Sequence, residues 1–110
     1  MNPDNEFMKL LKHAVEESLP LEIMYQGHNR IVVPTLLGET ASGRIVLHAL
    51  QVAGSSKEGP VITPSWKFLY CDQMASANLL VPSIPMQMKK SEGEYKCPGF
   101  ITKILAMGKI

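Results

Sequence analysis

The stretch YQGHNRIVVP, Tyr25 to Pro34, sets an aromatic hydroxyl before a turn and a guanidinium just after it. A guanidinium presents a planar fork of donors that matches the oxygens of phosphate or carboxylate. Arg30 is therefore the leading candidate for an anion contact, against the plainer reading of a solvated arginine after a turn. Tyr25 could stack on a base or donate from its hydroxyl. Its apolar i−2 and i−4 neighbours, Ile23 and Leu21, equally suit a core residue with its hydroxyl at the rim. Further on, GSSKEG (Gly54–Gly59) supplies the hydroxyls of Ser55 and Ser56 and glycine-freed amides of the kind that cradle an oxyanion, although polar turns of this composition are common. Gln51 falls on an apolar face, where a buried amide must find partners. It is placed to pin the GSSKEG loop or, as the sharper option, to touch a ligand. Trp66 suits a core or interface position; if exposed, it would be a stacking platform with Lys67 nearby for phosphate.

No reaction chemistry accompanies these residues. His13, His28, His48, Cys71 and Cys97 are scattered, with no paired spacing for a metal. No Cys-His or Ser-His-Asp spacing and no phosphate-loop glycine pattern stands out. The expectation is a binding function, with no metal, no cofactor and no enzymatic activity. The 110 residues fit one domain, and 45% hydrophobic with 19% charged residues is the balance of an ordinary globular chain. A formal net charge of +1 gives no global field to hold nucleic acid, so any anion site must be local. The N-terminus lacks a signal pattern, and no apolar run approaches the roughly 20 residues that span a bilayer. With two thiols and nothing suggesting export, the expectation is a cytoplasmic protein with reduced cysteines and no membrane partner.

Spacing also predicts the scaffold for these candidates. Phe7, Leu10, Leu11, Ala14 and Val15 lie on one helical face. They predict a helix over about 4–18, capped by Asn2 or Asp4 with Pro3 in the first turn and ended by Ser18-Leu19-Pro20. Five extended runs come next: Leu21–Gln26, Arg30–Leu37, Gly43–Val52, Ser65–Cys71 and Ala75–Pro82. With no helices between them they predict an antiparallel meander, closed as a small five-stranded barrel over about 20–82. The stretch SIPMQMKKSEGEYKCPG reads as irregular, with MQMKK either an adaptable surface or a loop over the core. FITKILAM (Phe100–Met107) resumes helical spacing and predicts a short C-terminal helix.

The order of these elements resembles the WYL domain, and more closely its small stand-alone members. The resemblance rests on HAVEESLPLEIMYQG, RIVVP, ASGRIVLHALQVAGSS, PSWKFLYCDQM and EGEYKCPGFITKI, and covers roughly residues 8–105. It implies a mainly β fold, an SH3- or Sm-like barrel, and a regulatory module of bacteria or phage that senses nucleic acid or nucleotide-like ligands. Two departures stand out. Ile45-Val46-Leu47 occupies the place of the Trp-Tyr-Leu triplet, and Gln73 stands where the family has a later arginine, which removes an aromatic and a cation. There is also no helix-turn-helix, so regulation of a promoter would need a partner.

The apolar alternation favours a three-residue first turn pairing Gln26 with Arg30, with Asn29 left-handed. That places Leu21, Ile23, Tyr25, Ile31 and Val33 on one face and Arg30 on the other. On the third strand His48 and Leu50 share one face, and Leu47, Ala49 and Gln51 the other. The functional expectation is a non-catalytic module holding a nucleotide or a short single strand through Arg30, Gln51, Ser55, Ser56 and Lys67, with Tyr25 or Trp66 stacking. The alternative is a structural or adaptor protein that works through a protein–protein interface, with a second copy of itself or a regulator as partner.

Overall fold

A computed structural model of the chain describes residues 5–57, 59–80 and 98–108. The expected caps at Asn2, Pro3 and Asp4, the MQMKK stretch and Cys97 lie outside the described residues. Helix α1 spans Asn5–Glu17 and buries Leu11, Ala14 and Val15 against the sheet. It ends in a left-handed residue, Ser18 (φ 54°), and the Leu19 N–H closes back on the Ala14 carbonyl at 2.9 Å. This is a Schellman-type stop with serine in the usual glycine position, and Pro20 then bars continuation.

Among the described residues seven strands come after the helix: β1 (Leu21–Tyr25), β2 (His28–Thr40), β3 (Ile45–Ser56), the two-residue β4 (Gly59–Pro60), β5 (Ser65–Tyr70), β6 (Met74–Leu79) and β7 (Ile101–Met107). A single 3₁₀ turn, Cys71–Gln73, joins β5 to β6. All pairings are antiparallel, in the order β4-β3-β2-β1-β6, with β5 on β3 and β7 on β2. The two long strands carry the architecture. One half of β2 pairs with β1 and the other with β7, while bulges at Ile31/Val32 and Pro34/Leu36 bend it. The sheet therefore curls into a half-barrel whose inner face, closed by α1, holds Leu21, Ile23, Val32, Leu47 and Leu69. Each such side chain contributes roughly 1.5–3 kcal/mol by burial.

Three expectations are corrected. The sheet is a seven-stranded half-barrel that includes Ile101–Met107, not a closed barrel of five strands over about 20–82. Phe100–Met107 is not a helix: Ile101–Met107 is strand β7, paired with Leu36–Thr40. Bulges opposite Leu37/Gly38 and Glu39/Thr40 each add a residue to β7, so its outward positions are Ile101, Ile104 and Met107. Two bulges stretch the two-residue alternation of a strand to three, which imitates helical spacing. The first turn also differs. Its two residues are Gln26 and Gly27, both with positive φ (51° and 77°), and Tyr25 pairs with His28. This is the primed turn whose twist suits a tight hairpin. Ile23 then opposes Arg30 and Leu21 opposes Val32, so Arg30 shares the inner face with Tyr25 rather than pointing away.

Gly54 (φ 93°) pairs with Arg30, and β3 runs close against β2 there; a Cβ would collide with the Asn29 carbonyl and sit 2.9 Å from Arg30 Cα. Both clashes involve backbone, which cannot swing aside. Gly54→Ala is expected to destabilise the fold by at least about 1–3 kcal/mol, measured by denaturant titration. An unchanged midpoint would contradict this packing.

Candidate functional site

Of the candidate residues, Arg30, Gln51 and Tyr25 come together inside the half-barrel. Arg30 is buried, only 4% exposed, between β1 and β3. Its Nη1 donates to Gln51 Oε1 at 3.3 Å, and its Cζ lies 5.2 Å from the centre of the Tyr25 ring. Its Nε is buried without a hydrogen-bond partner. No carboxylate among the described residues pairs with it. Desolvation lowers its pKa from the ordinary value, and the facing Tyr25 works the other way. The hairpin register places the charge here: the Tyr25–His28 pairing turns Arg30 into the rung of Ile23.

Gln51 is fully buried and spends all of its amide within the fold. Its Nε2 donates to the carbonyls of Ala53 and Ser55, both at 3.1 Å, while its oxygen accepts the hydrogen bond from Arg30 Nη1. Gln51 thus pins the β3 end of GSSKEG and holds Arg30 by the same group. Ser55 Oγ meets His28 Nδ1 at 3.2 Å, and Ser56 Oγ donates to the Gly59 carbonyl at 3.4 Å. Ser65 opposes Gln51 and Lys67 opposes Ala49, which puts both on the inner side of β5. Ser56, Thr63, Ser65 and Lys67 line a groove of about 270 Å³. A line of polar groups therefore runs from Arg30 through Gln51 to the groove.

Tyr25 is a core residue with a working hydroxyl. It donates to Gln73 Oε1 at 3.0 Å and accepts from the Tyr70 N–H at 3.1 Å, bridging β1 to the β5–β6 connection. With its ring against Arg30, this tyrosine is a latch rather than a stacking surface for a base. Beside it, Arg44 forms a two-pronged pair with Asp72, both bonds at 3.0 Å, and lies 3.7 Å over the Tyr70 ring. Those hydrogen bonds hold the Asp72 carboxyl below its usual range.

Trp66 does not join the site. Strand alternation sends it to the outer face while Lys67 points inward. There it is half-exposed, 4.8 Å from His48, which also stacks on Phe68 at 4.5 Å; Phe68 meets Phe100 edge-on at 4.9 Å. The expected faces of β3 are observed: Leu47, Ala49 and Gln51 are fully buried on the inner side and His48 lies on the outer. The place of Phe68 beside Trp66 could have been found from their i+2 spacing, whereas Phe100 gave no signal while its segment read as helical.

Among the described residues no group of His, Cys, Asp and Glu could hold a metal, and no helix is long and apolar enough to cross a membrane. Burial pushes the Cys71 thiol up to about 12, so it carries no thiolate near neutral pH. Comparisons with protein-family models, curated proteins and solved structures found no match.

Burial holds the pKa of His48 below its ordinary value of 6.5. Between the folded and unfolded values the unfolded chain binds a proton that the native state refuses, so stability rises with pH there. The His48 contribution is complete above the unfolded value and is lost as pH falls toward the folded one. The denaturation midpoint should be lower at about pH 5.5 than at about pH 7.5, and His48→Phe should shrink that difference. Equal pH sensitivity in the variant would contradict the assignment.

Proposed function

We propose that the chain is a non-catalytic, WYL-like binding module for a phosphate-bearing ligand, either a nucleotide or the end of a short single strand. The observation that carries this reading is Arg30. A buried cation is normally paired, because a charge without its counter-ion in a poorly solvated place is costly. Beside the Tyr25 ring, Arg30 has one hydrogen-bond partner, the neutral Gln51, a free buried Nε and no facing carboxylate among the described residues. An oxyanion would supply the missing charge and acceptor together. Lys67, Ser65 and Ser56 line the groove beyond Gln51, which Arg30 does not itself line, and would offer further donors to a ligand long enough to reach both.

The positions of the aromatics narrow the reading to phosphate recognition. Tyr25 is covered by Arg30 and Trp66 lies on the opposite face, so neither offers a base a stacking surface beside the site. WYL-like regulation fits a module of this kind: the ligand would neutralise a charge that the described residues leave uncompensated. That is a direct way to couple occupancy to stability.

Thermal melts with pyrophosphate, AMP, ADP, ATP and a short single-stranded oligonucleotide test the proposal. At about 100 times its Kd a ligand should add about 2.7 kcal/mol. Arg30→Gln keeps a donor for Gln51 and removes the charge. It should leave the unliganded midpoint unchanged or raised and abolish the ligand shift. No shift across the panel, or an Arg30→Gln variant that unfolds without ligand, would overturn the reading.

A further inference from the structure

We infer that the outer face of the sheet, across β7, β2, β3 and β5, is a self-association surface whose occupant is the same face of a second copy of this chain. The register sets Met107, Leu36, His48 and Phe68 directly opposite one another, in one row across four strands. The adjoining row runs through Ile104, Gly38, Val46 and Tyr70. Leu36, Val46 and Ile101 form a small buried cluster of their own on this side, separate from the core that α1 closes. Around it stand Trp66, Phe68, Phe100, Ile104 and Met107, each between 41% and 51% exposed.

Size and charge select the occupant. Three half-exposed aromatics of roughly 150–250 Å² each, with the half-exposed Ile104 and Met107, leave about 400 Å² of apolar surface in one patch per copy. At roughly 60% apolar content, an interface built on that patch would bury about 1,300 Å² in total, in the lower part of the range for specific association. None of the residues in these two rows is an Asp, Glu, Lys or Arg, and burial keeps His48 toward its neutral form. At the Tyr70 edge the nearest ions, Arg44 and Asp72, neutralise each other. A nucleic acid would find no cation in the rows to meet its phosphates, and an acidic or basic peptide no complementary charge. A second copy needs neither, and a formal net charge of +1 gives two copies little reason to repel. Two such faces can stack as the layers of a sandwich, about 10 Å apart, with the same patch on both sides of a twofold axis.

Sedimentation velocity of the full chain, from micromolar to several hundred micromolar, is the test. The expected result is a concentration-dependent shift from monomer to dimer, lost in Phe68→Lys and, independently, in Ile104→Lys at the most exposed of the five positions. Circular dichroism and thermal midpoint identify any variant that has failed to fold, and the other variant then decides. A monomer at every concentration overturns the inference, as does a dimer that survives in a folded variant.

Discussion

The register of the first hairpin decides whether the candidate site forms at all. Side chains alternate across a strand, so a slip of one residue would turn Arg30 out to solvent and Ile31 inward. The Gln26-Gly27 turn prevents that slip, because both residues take left-handed backbone and Tyr25 then meets His28. Glycine adopts this conformation freely, whereas Gln26 carries a cost that the surrounding contacts must offset. Its side-chain bond to Gln73, shared with the Tyr25 hydroxyl, ties the turn to the β5–β6 connection. One local choice thus brings a cation into the half-barrel and links the other strand of its hairpin, β1, to the β5–β6 connection.

That register creates a polar line inside an otherwise apolar shell. Gln51 joins its parts. Its oxygen steadies Arg30 and its amide nitrogen holds two carbonyls at the end of β3, where Gly54 lets the two strands approach. Loss of the Gln51 amide would leave those carbonyls and the guanidinium short of partners, a larger deficit than one neutral hydrogen bond of about 1 kcal/mol. The opposite side of the sheet is apolar and aromatic, so the two faces of β3 and β5 are suited to different work.

Much of this was legible in the sequence. The helix stripe, the antiparallel order and the faces of β3 all come from spacing, because α1 and β3 are regular where they carry it. Gln51 as the pin of the GSSKEG loop was readable from one amide among apolar neighbours. The errors fall where regularity breaks. From Val32 to Gly38 every residue of β2 is buried, so its alternation could not choose a register. In β7 two bulges gave outward residues three apart, and a short apolar run with that spacing reads as a helix turn. The β-branched residues Ile101, Thr102 and Ile104 were the remaining sign of a strand. The burial of Arg30 had no local signal, since it depends on the turn and on Gln51, 21 residues away.

Arg30 is held inside the fold with its Nε proton unpartnered, where an anion could take it. Nuclear magnetic resonance of the arginine Nε–Hε group reads that proton directly. The expected Arg30 Hε signal exchanges slowly with water in the unliganded protein and moves downfield on titration with pyrophosphate. A fast-exchanging signal at the position of a solvated arginine, unmoved by pyrophosphate, would contradict both the burial of the guanidinium and its role.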